Sequence, residues 1–328
     1  MKILFLGKAH DEASVRYRVL PVMQCLEREG HDTQFMSSDL SVWQKLRLLT
    51  AAPTYDLVFI QRKLFSGFFL RLLRRRAKRI AFDYDDAIFV KSSGENSNQR
   101  MSRFTEVCRS SELILAGNQH LAKQAESLRN PATRLEWMPT SVETRRYFDN
   151  STKKDDVITL VWIGSRSTRR YLDMLIPVLE RLGKAHDNLQ LKVVSDFDYQ
   201  LDSLPVKNVR WDQAGEIDEL VSSHIGIAPM LDNAWTRGKC ALKVLQYMAA
   251  GLPVVSSNCG ANSEVVSHNH SGFLVGSEDE WCDSIDQLVH SESMRDEMGV
   301  VGQRIVSERY DLERNSERTS QLISTLVG

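Results

Sequence analysis

The residues with the clearest chemical potential lie in a polar loop and helix start in the second half of the chain. Lys239 and Lys243 are one helical turn apart at the predicted start of a helix near Ala241. The first turn of a helix has backbone N–H groups without partners and a partial positive charge, so cations there are unfavourable unless an anion binds. The spacing therefore indicates a diphosphate site. A solvated lysine pair beside a loop is the alternative.

A second chemical cluster consists of the three carboxylates Asp83, Asp85 and Asp86, which follow a predicted strand. A carboxylate at the carboxyl end of a parallel strand can orient or deprotonate a substrate hydroxyl, and Asp85 and Asp86 are the candidates for this catalytic role. The alternative is a group of helix-capping aspartates. An Asp-x-Asp pattern occurs here and again at 196–198, but three residues are too weak a signal, and we predict no metal site.

Strands and helices alternate along both halves of the chain, which predicts parallel sheets covered on both faces. The predicted strands are 3–6, 33–36, 57–60, 80–82 and 113–116 in the first half and 157–163, 191–194, 225–228 and 254–256 in the second. One helix is predicted from the apolar face of Leu172, Leu175, Ile176 and Leu179. Two amphipathic helices, 292–308 and 312–326, are predicted to end the chain.

The length of 328 residues suits two domains, and 42% hydrophobic with 26% charged residues is the balance of a soluble globular protein. This composition excludes a disordered chain, a fibre and a small disulfide scaffold. Five cysteines without metal-binding spacing indicate reduced thiols. No apolar run reaches the length of a membrane-spanning helix. The N-terminal residues MKILFLG predict a first strand rather than a signal peptide.

The net charge of −1 is unevenly divided, because residues 1–150 carry an excess of positive charge and residues 151–328 an excess of negative charge. The segment 64–79 (LFSGFFLRLLRRRAKR) combines aromatic and aliphatic residues with arginines. We interpret it as a helix that packs on the sheet while its arginines contact an anionic membrane surface. A helix with a solvated basic face is the alternative. Nucleic acid is not predicted as a partner, since the second half is acidic and no recognised motif is present.

Several motifs together resemble the retaining family-4 glycosyltransferases, in particular a bacterial branch that builds envelope polysaccharides. The resemblance covers nearly the whole chain. It rests on Phe82 to Ala87, Ala116 to Asn118, Met138-Pro139, Tyr147-Phe148, Trp162 to Ser165, Thr168, Tyr171-Leu172, Tyr247 to Ala249, Gly251, Pro253 to Val255, Gly260, Glu264-Val265 and Gly272 to Leu274. The resemblance implies the α/β GT-B architecture, with two facing Rossmann-like domains and a cleft between them.

The chain departs from the family pattern at a pair of glutamates separated by seven residues. Gly238 and Gln246 occupy those positions. The resemblance implies that Gln246 hydrogen-bonds a ribose diol. It also implies that Lys239 or Asp232 takes over contact with the transferred sugar, which Gly238 cannot make with a side chain.

The resemblance assigns further residues to the donor and the acceptor. A cation pair on the donor diphosphate would be Arg166 or Arg169 together with Lys243, and these cations would assist departure of the leaving group. The remaining donor-binding residues would be Gly164, Ser165 and Leu242. In the resembled fold the loop after the first strand lines the cleft, which implies acceptor contacts from His10, Arg16 and Arg18. The alternative for these two arginines is a solvent-facing helix start.

These observations predict a metal-independent, retaining glycosyltransferase that moves a sugar from a nucleotide-diphospho-sugar to a lipid-linked glycan in surface polysaccharide synthesis. No cofactor is expected. Residues 1–148 would bind the acceptor, 149–308 the nucleotide sugar, and the helix 309–328 would return to the first domain. The protein would be cytoplasmic, peripheral on the inner face of the plasma membrane. The alternatives are a non-catalytic partner subunit of the same fold and a GT-B sugar-nucleotide epimerase. A dinucleotide oxidoreductase is disfavoured because no G-x-G-x-x-G follows a strand.

Overall fold

A computed structural model describes residues 1–148 and 156–328. The chain in it divides into two compact units. Unit 1 comprises 1–141, 233–240 and 312–328, and unit 2 comprises 142–232 and 241–311. The predicted linker at 145–156 and the predicted boundary at 148/149 fall largely on 149–155, outside the described residues.

Each unit contains a six-stranded, all-parallel sheet, so the predicted α/β class is confirmed. The strands of unit 1 are β1 (Lys2–Gly7), β2 (Asp32–Ser37), β3 (Leu57–Gln61), β4 (Ile80–Tyr84), β5 (Leu113–Ala116) and β6 (Arg134–Trp137). Those of unit 2 are β7 (Ile158–Ile163), β8 (Leu189–Ser195), β9 (Val206–Arg210), β10 (Ile225–Ala228), β11 (Val254–Ser257) and β12 (Gly272–Val275). The spatial orders are β2-β1-β3-β4-β5-β6 and β12-β11-β10-β7-β8-β9.

Helices cover the faces of both sheets. In chain order they are α1 (Ala13–Arg18), α2 (Leu20–Arg28), α3 (Val42–Ala51), α4 (Gly67–Arg76), α5 (Asn98–Ser110), α6 (Gln119–Glu126), α7 (Thr144–Phe148), α8 (Arg169–Asp173), α9 (Ile176–Ala185), α10 (Glu216–Val221), α11 (Leu242–Ala249), α12 (Asn262–Val265), α13 (Glu278–His290), α14 (Glu292–Arg309) and α15 (Leu312–Val327). Short 3-10 turns occupy 52–54, 166–168 and 236–238. None of the described helices is both long and apolar enough to cross a bilayer.

The central strands are buried along their whole length, as strands covered on both faces must be. Phe5 and Phe59 pack ring to ring in unit 1, where the C-terminal helix α15 adds Leu322 and Ile323 to the same core. Trp162 is a fully buried core residue of unit 2. The cores hold the sheets rigid, so the loops at the strand ends are fixed in position.

Two of the predicted elements differ from the structure. The single helix predicted through Leu172 to Leu179 is two helices, α8 and α9, because Pro177 at the start of α9 lacks an N–H and favours a new helix start. The basic segment 64–79 is helical only over α4. Ser66 caps the helix through Phe69 N–H, and the backbone becomes extended at Ala77.

Candidate active site

The strand order of unit 2 locates a binding edge. The first strand of unit 2 in the sequence, β7, lies inside the sheet between β8 and β10. The strand order therefore reverses at β7, because the following strands lie first on one side of it and then on the other. In open parallel sheets, ligands bind beyond the carboxyl ends of the strands at such a reversal. The turns that follow Ile163 and Ala228 are therefore the candidate donor site of unit 2.

Gly164, the first residue after β7, is held in a space that excludes any side chain. A Cβ atom there would lie 2.3 Å from the ring of Trp162 and 2.7 Å from Nζ of Lys243. The Lys243 ammonium lies 4.2 Å from the Trp162 ring centroid and donates to Thr168 Oγ1 at 3.4 Å. The ammonium and the turn after β7 are thus adjacent, as a ligand with a charged phosphate would require.

Lys243 lies in the first turn of α11, and Leu242 is the first residue of this helix. Within residues 1–148 and 156–328, no side chain caps the N-terminus of α11, and the preceding residue Ala241 has φ +56°. The first backbone N–H groups of a helix are suited to an anion when no cap occupies them. The prediction that Lys239 shares this turn is wrong, because Lys239 precedes the helix in extended backbone and belongs to unit 1.

The turn after Gly164 carries the other predicted donor residues. Ser165 N–H donates to Thr168 Oγ1 at 3.2 Å, and Arg166 N–H donates to Asp196 Oδ1 at 2.7 Å. The Arg166 side chain is exposed. Arg169 Nε lies 3.5 Å from Asp173 Oδ1. Of the two arginines predicted to bind the diphosphate, Arg169 is thus oriented by an ion pair within its own helix, α8.

Helix α11 is fixed to β7 by a buried tyrosine. Ile163 N–H donates to Tyr247 Oη at 2.9 Å, and burial raises the pKa of Tyr247 above its ordinary range. A Cβ at Gly226 would lie 2.4 Å from the Tyr247 ring, so glycine is required there. Gln246, which precedes Tyr247 on α11, is buried, while Asp232 is exposed in the loop that follows β10.

The strand order of unit 1 also reverses, between β1 and β3. Arg62 lies there and is not among the site residues predicted from the sequence. Arg62 follows β3 with φ +56°, a strained conformation for a non-glycine residue. Its guanidinium contacts Asp86 and places Nε 3.3 Å from Asp85 Oδ1. The signal in the sequence was a basic pair, Arg62 and Lys63, directly after the buried strand LVFIQ.

The two predicted catalytic carboxylates are therefore held by cations. Lys239 Nζ lies 2.8 Å from Asp86 Oδ1, on the side chain that Arg62 also contacts. Burial raises the pKa of Asp86, and the charges of Lys239 and Arg62 offset this only in part. A buried carboxylate with a raised pKa is a common feature of acid–base sites.

The loop 233–240 supplies Lys239 and packs on unit 1. Asn118 Nδ2 donates to the carbonyl oxygens of Arg237 and Lys239 at 3.1 and 3.0 Å. A Cβ at Gly238 would lie 2.5 Å from the backbone nitrogen of Ala87. The glutamate typical of the resembled family does not fit at Gly238 without a shift of this backbone.

Cys240 at the end of the loop is also tightly placed. Its thiol donates to the Asp85 carbonyl oxygen at 3.2 Å, and a Cβ at Gly117 would lie 2.5 Å from Sγ. Burial and the charge of Asp85 raise the pKa of Cys240 well above its ordinary value. This cysteine therefore serves packing as a neutral thiol.

Arg18, predicted to contact the acceptor, lies inside unit 1. Its Nε donates to Asp83 Oδ2 at 2.9 Å and its Nη1 donates to the Met138 carbonyl oxygen at 2.9 Å. Burial would lower the pKa of Arg18, but the carboxylate of Asp83 outweighs it and the pKa is raised. The first aspartate of the 83–85 Asp-x-Asp pattern is thus paired with an arginine.

The other two predicted acceptor residues lie nearer the surface of unit 1. His10 is exposed, with its ring 4.2 Å from that of Phe35. Arg16 is half-buried on α1 with its guanidinium 5.2 Å from the Tyr17 ring centroid. Acceptor binding by His10, Arg16 and Arg18 stays a prediction.

Two Rossmann-like sheets in one chain are characteristic of one class of α/β fold. Solved structures of that class match nearly the whole chain. The Anabaena protein HepE in complex with UDP has a TM-score of 0.75 at 14% identity, covering 99% of this chain and 100% of that one. Sucrose-phosphate synthase from Thermosynechococcus elongatus has a TM-score of 0.75 at 13% identity, covering 99% of both chains. The GT-B fold predicted from the sequence is confirmed.

The family match is confined to unit 2 and the loop that interrupts it. Residues 157–291 match the family model described as Glycosyl transferases group 1, so the resemblance predicted from the sequence is confirmed for this part of the chain. A GDP-mannose-dependent alpha-(1-6)-phosphatidylinositol monomannoside mannosyltransferase from Mycobacterium tuberculosis is 25% identical over 205 residues. That match covers 55% of this chain and 53% of the relative, so it spans about half the relative's length.

Proposed function

We propose that this protein is a retaining glycosyltransferase that transfers a sugar from a nucleoside-diphospho-sugar to a lipid-linked glycan in surface polysaccharide synthesis. The observation that carries the proposal is the arrangement around Gly164. A turn with no room for a side chain, the Lys243 ammonium and the uncapped start of α11 lie together at the strand reversal of unit 2. This arrangement suits a diphosphate.

The chemistry proposed for unit 2 is stabilisation of the leaving diphosphate. Lys243, the first N–H groups of α11 and Arg166 or Arg169 would stabilise the negative charge that develops as the sugar leaves. With these cations in place, the transfer is proposed to be metal-independent. Gln246 is proposed to hydrogen-bond the ribose, with Leu242 beside it, and Asp232 to contact the sugar. Retention is proposed from the family resemblance.

The chemistry proposed for unit 1 is handling of the acceptor hydroxyl. Asp86 is the proposed base, because burial raises its pKa above the ordinary value of a carboxyl group and makes it a stronger proton acceptor. Lys239 and Arg62 would hold the carboxylate in place, and Asp85 would assist through Arg62. His10, Arg16 and Arg18 are proposed on the acceptor side, with Arg18 acting through Asp83.

A non-catalytic partner subunit is the second candidate. Two observations favour it: Gly238 is packed against Ala87 where the family has a glutamate, and Asp86 is already neutralised by two cations. In that case the Gly164 site would still bind a nucleotide, but no sugar would be transferred.

An anionic membrane is the proposed partner surface of unit 1, where the protein would bind from the cytoplasmic side. Trp43 of α3 and Phe68 of α4 are 76% and 71% exposed, on helices that pack against each other. Val42 and Leu46 of α3 are also exposed apolar residues. Exposed arginines 71, 75 and 76 lie on α4. Exposed aromatic rings beside arginines are typical of helices that bind in the headgroup region.

The donor site is tested by thermal-shift titration with UDP, GDP, dTDP and CDP. We expect one diphosphate to raise the melting temperature, and Lys243→Ala to abolish this shift. Lys207→Ala is the matched control, since Lys207 is an exposed lysine of β9 in the same unit. A rise in melting temperature with a nucleoside diphosphate, without sugar transfer to any glycan acceptor tested, would favour the partner subunit. If no nucleoside diphosphate raised the melting temperature, both the transferase proposal and the partner-subunit alternative would be overturned.

The membrane partner is tested by co-sedimentation with vesicles of phosphatidylcholine containing about one third phosphatidylglycerol, compared with phosphatidylcholine alone. We expect binding to the anionic vesicles only, and loss of most of it in Trp43→Ser combined with Phe68→Ser. Val300→Ser removes an exposed apolar side chain from unit 2 and is the matched control. Equal binding by the double variant would refute this surface.

A further inference from the structure

Two histidines and an aspartate form a cluster in unit 2 that the proposed transfer does not use. His186 follows the last residue of α9, while Asp286 and His290 lie one turn apart at the end of α13. One nitrogen or oxygen atom from each side chain lies within 4.8 Å of the other two. The two imidazole rings are 5.2 Å apart and meet edge to face.

The atoms of this cluster lie close enough together to bind one zinc ion. His186 Nε2 lies 3.0 Å from Asp286 Oδ1. Zinc–nitrogen and zinc–oxygen bonds of about 2.0–2.2 Å in a tetrahedron place neighbouring ligand atoms about 3.3 Å apart. Imidazole and carboxylate are ligands that zinc accepts.

The buried histidine gives independent support for a ligand. The His186 side chain is only 8% exposed. Among the described residues, its buried Nε2 has no hydrogen-bond partner, because its contact with Asp286 lacks hydrogen-bond geometry. A buried polar nitrogen without a hydrogen bond is costly, and a bound cation would remove that cost.

His290, the second histidine, makes a contact with a backbone carbonyl that is common among histidine ligands of metals. His290 Nδ1 lies 2.9 Å from the Asp286 carbonyl oxygen, one turn earlier on α13. With the proton on Nδ1, this nitrogen donates to the carbonyl and leaves the Nε2 lone pair for a metal. A backbone carbonyl in this role fixes the tautomer and the orientation of the ring.

The cluster lies at the opposite edge of the sheet from the proposed donor site. Asn188, two residues after His186, accepts a hydrogen bond from Ile158 at the start of β7, while Gly164 follows the end of β7. A six-residue strand is about 20 Å long. A metal bound here would lie too far from the proposed donor site to take part in the transfer, and it would join the ends of α9 and α13.

The geometry points to a structural site for a divalent transition-metal ion of the zinc type, bound by His186, Asp286 and His290 with water completing the coordination. This inference is independent of the proposed transferase function. Mg²⁺ and Ca²⁺ are not expected to bind, since both prefer sets of oxygen ligands.

The test is calorimetric titration of Zn²⁺ into the untagged, chelator-treated protein. We expect one zinc per chain, an affinity at least about tenfold lower in His290→Ala and in His186→Ala, and no binding of Mg²⁺. Zn²⁺ should raise the melting temperature of the original protein but not of His290→Ala. Bound Co²⁺ should give the visible absorption of a tetrahedral site.

Two features of the design keep the result decisive. His290 is 66% exposed, so its replacement does not threaten folding even if that of His186 does. His270→Ala removes another exposed histidine of unit 2 and should leave binding unchanged. Absence of zinc binding, or equal binding in His290→Ala and the original protein, would overturn the site.

Discussion

The carboxyl ends of the strands carry different chemistry in the two units. In unit 1 they hold side chains of opposite charge in contact, Arg18 with Asp83 and Asp86 with Lys239. In unit 2 the equivalent edge is built from the Gly164 turn and the start of α11. The same kind of sheet thus uses its edge in one unit to pair buried charges and in the other to present backbone N–H groups. Four substitutions test this contrast, from the largest expected effect to the smallest.

Asp83→Asn should have the largest effect, lowering the free energy of unfolding by about 3–5 kcal/mol, because it leaves the buried Arg18 charge without a counter-charge. An arginine cannot relieve this by losing its proton. Arg18→Met combined with Asp83→Leu should regain most of the loss. Urea unfolding measures both.

The exposed pair of Lys91 and Glu95 is the control for this prediction. Lys91→Ala should change the free energy of unfolding by less than about 1 kcal/mol, since surface ion pairs contribute little. A similarly small loss in Asp83→Asn would show that the edge of unit 1 does not depend on its buried pairs.

Gly164→Ala should come next, with a loss of about 1–3 kcal/mol, because the new methyl group collides with the Trp162 ring and the Lys243 ammonium. Nucleotide-induced stabilisation should disappear as well. Gly276→Ala, whose Cβ meets only Glu280 at 3.6 Å, should leave both unchanged. Melting curves with and without nucleoside diphosphate distinguish these outcomes. Normal binding by Gly164→Ala would remove this turn from the donor site.

Asn118→Asp should cost about 1–3 kcal/mol in free energy of unfolding. The aspartate can still accept from Leu121 N–H as the cap of α6, but it cannot donate to the carbonyl oxygens of Arg237 and Lys239. Asn118→Ala loses the cap in addition and should be at least as unstable. An aspartate variant as stable as the original would mean that the loop 233–240 is held by other contacts.

His120→Gln should have the smallest effect, visible only as a change in pH dependence. Burial, followed by the charge of Arg237, lowers the pKa of His120. Its contribution to stability is therefore complete above the ordinary value of 6.5 and is lost as the pH falls through the lowered pKa. Melting temperatures between about pH 7.5 and about pH 5 should fall less steeply in the variant. Parallel curves would contradict this.

The parallel sheets could be predicted because buried strands are continuous apolar runs. Leu113–Ala116 and Ile225–Ala228 were predicted at their observed limits. The edge strands β6, β9 and β12 were missed, and of these β6 and β9 are half-exposed. Half-exposed sequences such as VKNVR have no apolar run and pair only because a neighbouring strand is already in place.

Candidate site residues could be predicted where local sequence sets their position, as for Gly164 and Lys243. Contacts between distant segments could not. Arg62 and Lys239 meet at Asp86 from separate parts of the chain, and no local pattern indicates that meeting. The packing of Gly238 against Ala87 depends in the same way on a tertiary contact.

Unit 1 is assembled from three separate stretches of the chain, and this has a consequence for biosynthesis. Its sheet core includes Leu322 and Ile323 of α15, which leave the ribosome after every residue of unit 2. Unit 2 lies entirely between the first and last of these stretches, so its residues are all available while the core of unit 1 still lacks its final helix. Synthesis of unit 1 therefore begins before that of unit 2 but is completed after it. A shortened gene ending before Leu312 would produce a unit 1 with an open apolar face, a natural target for cellular proteases.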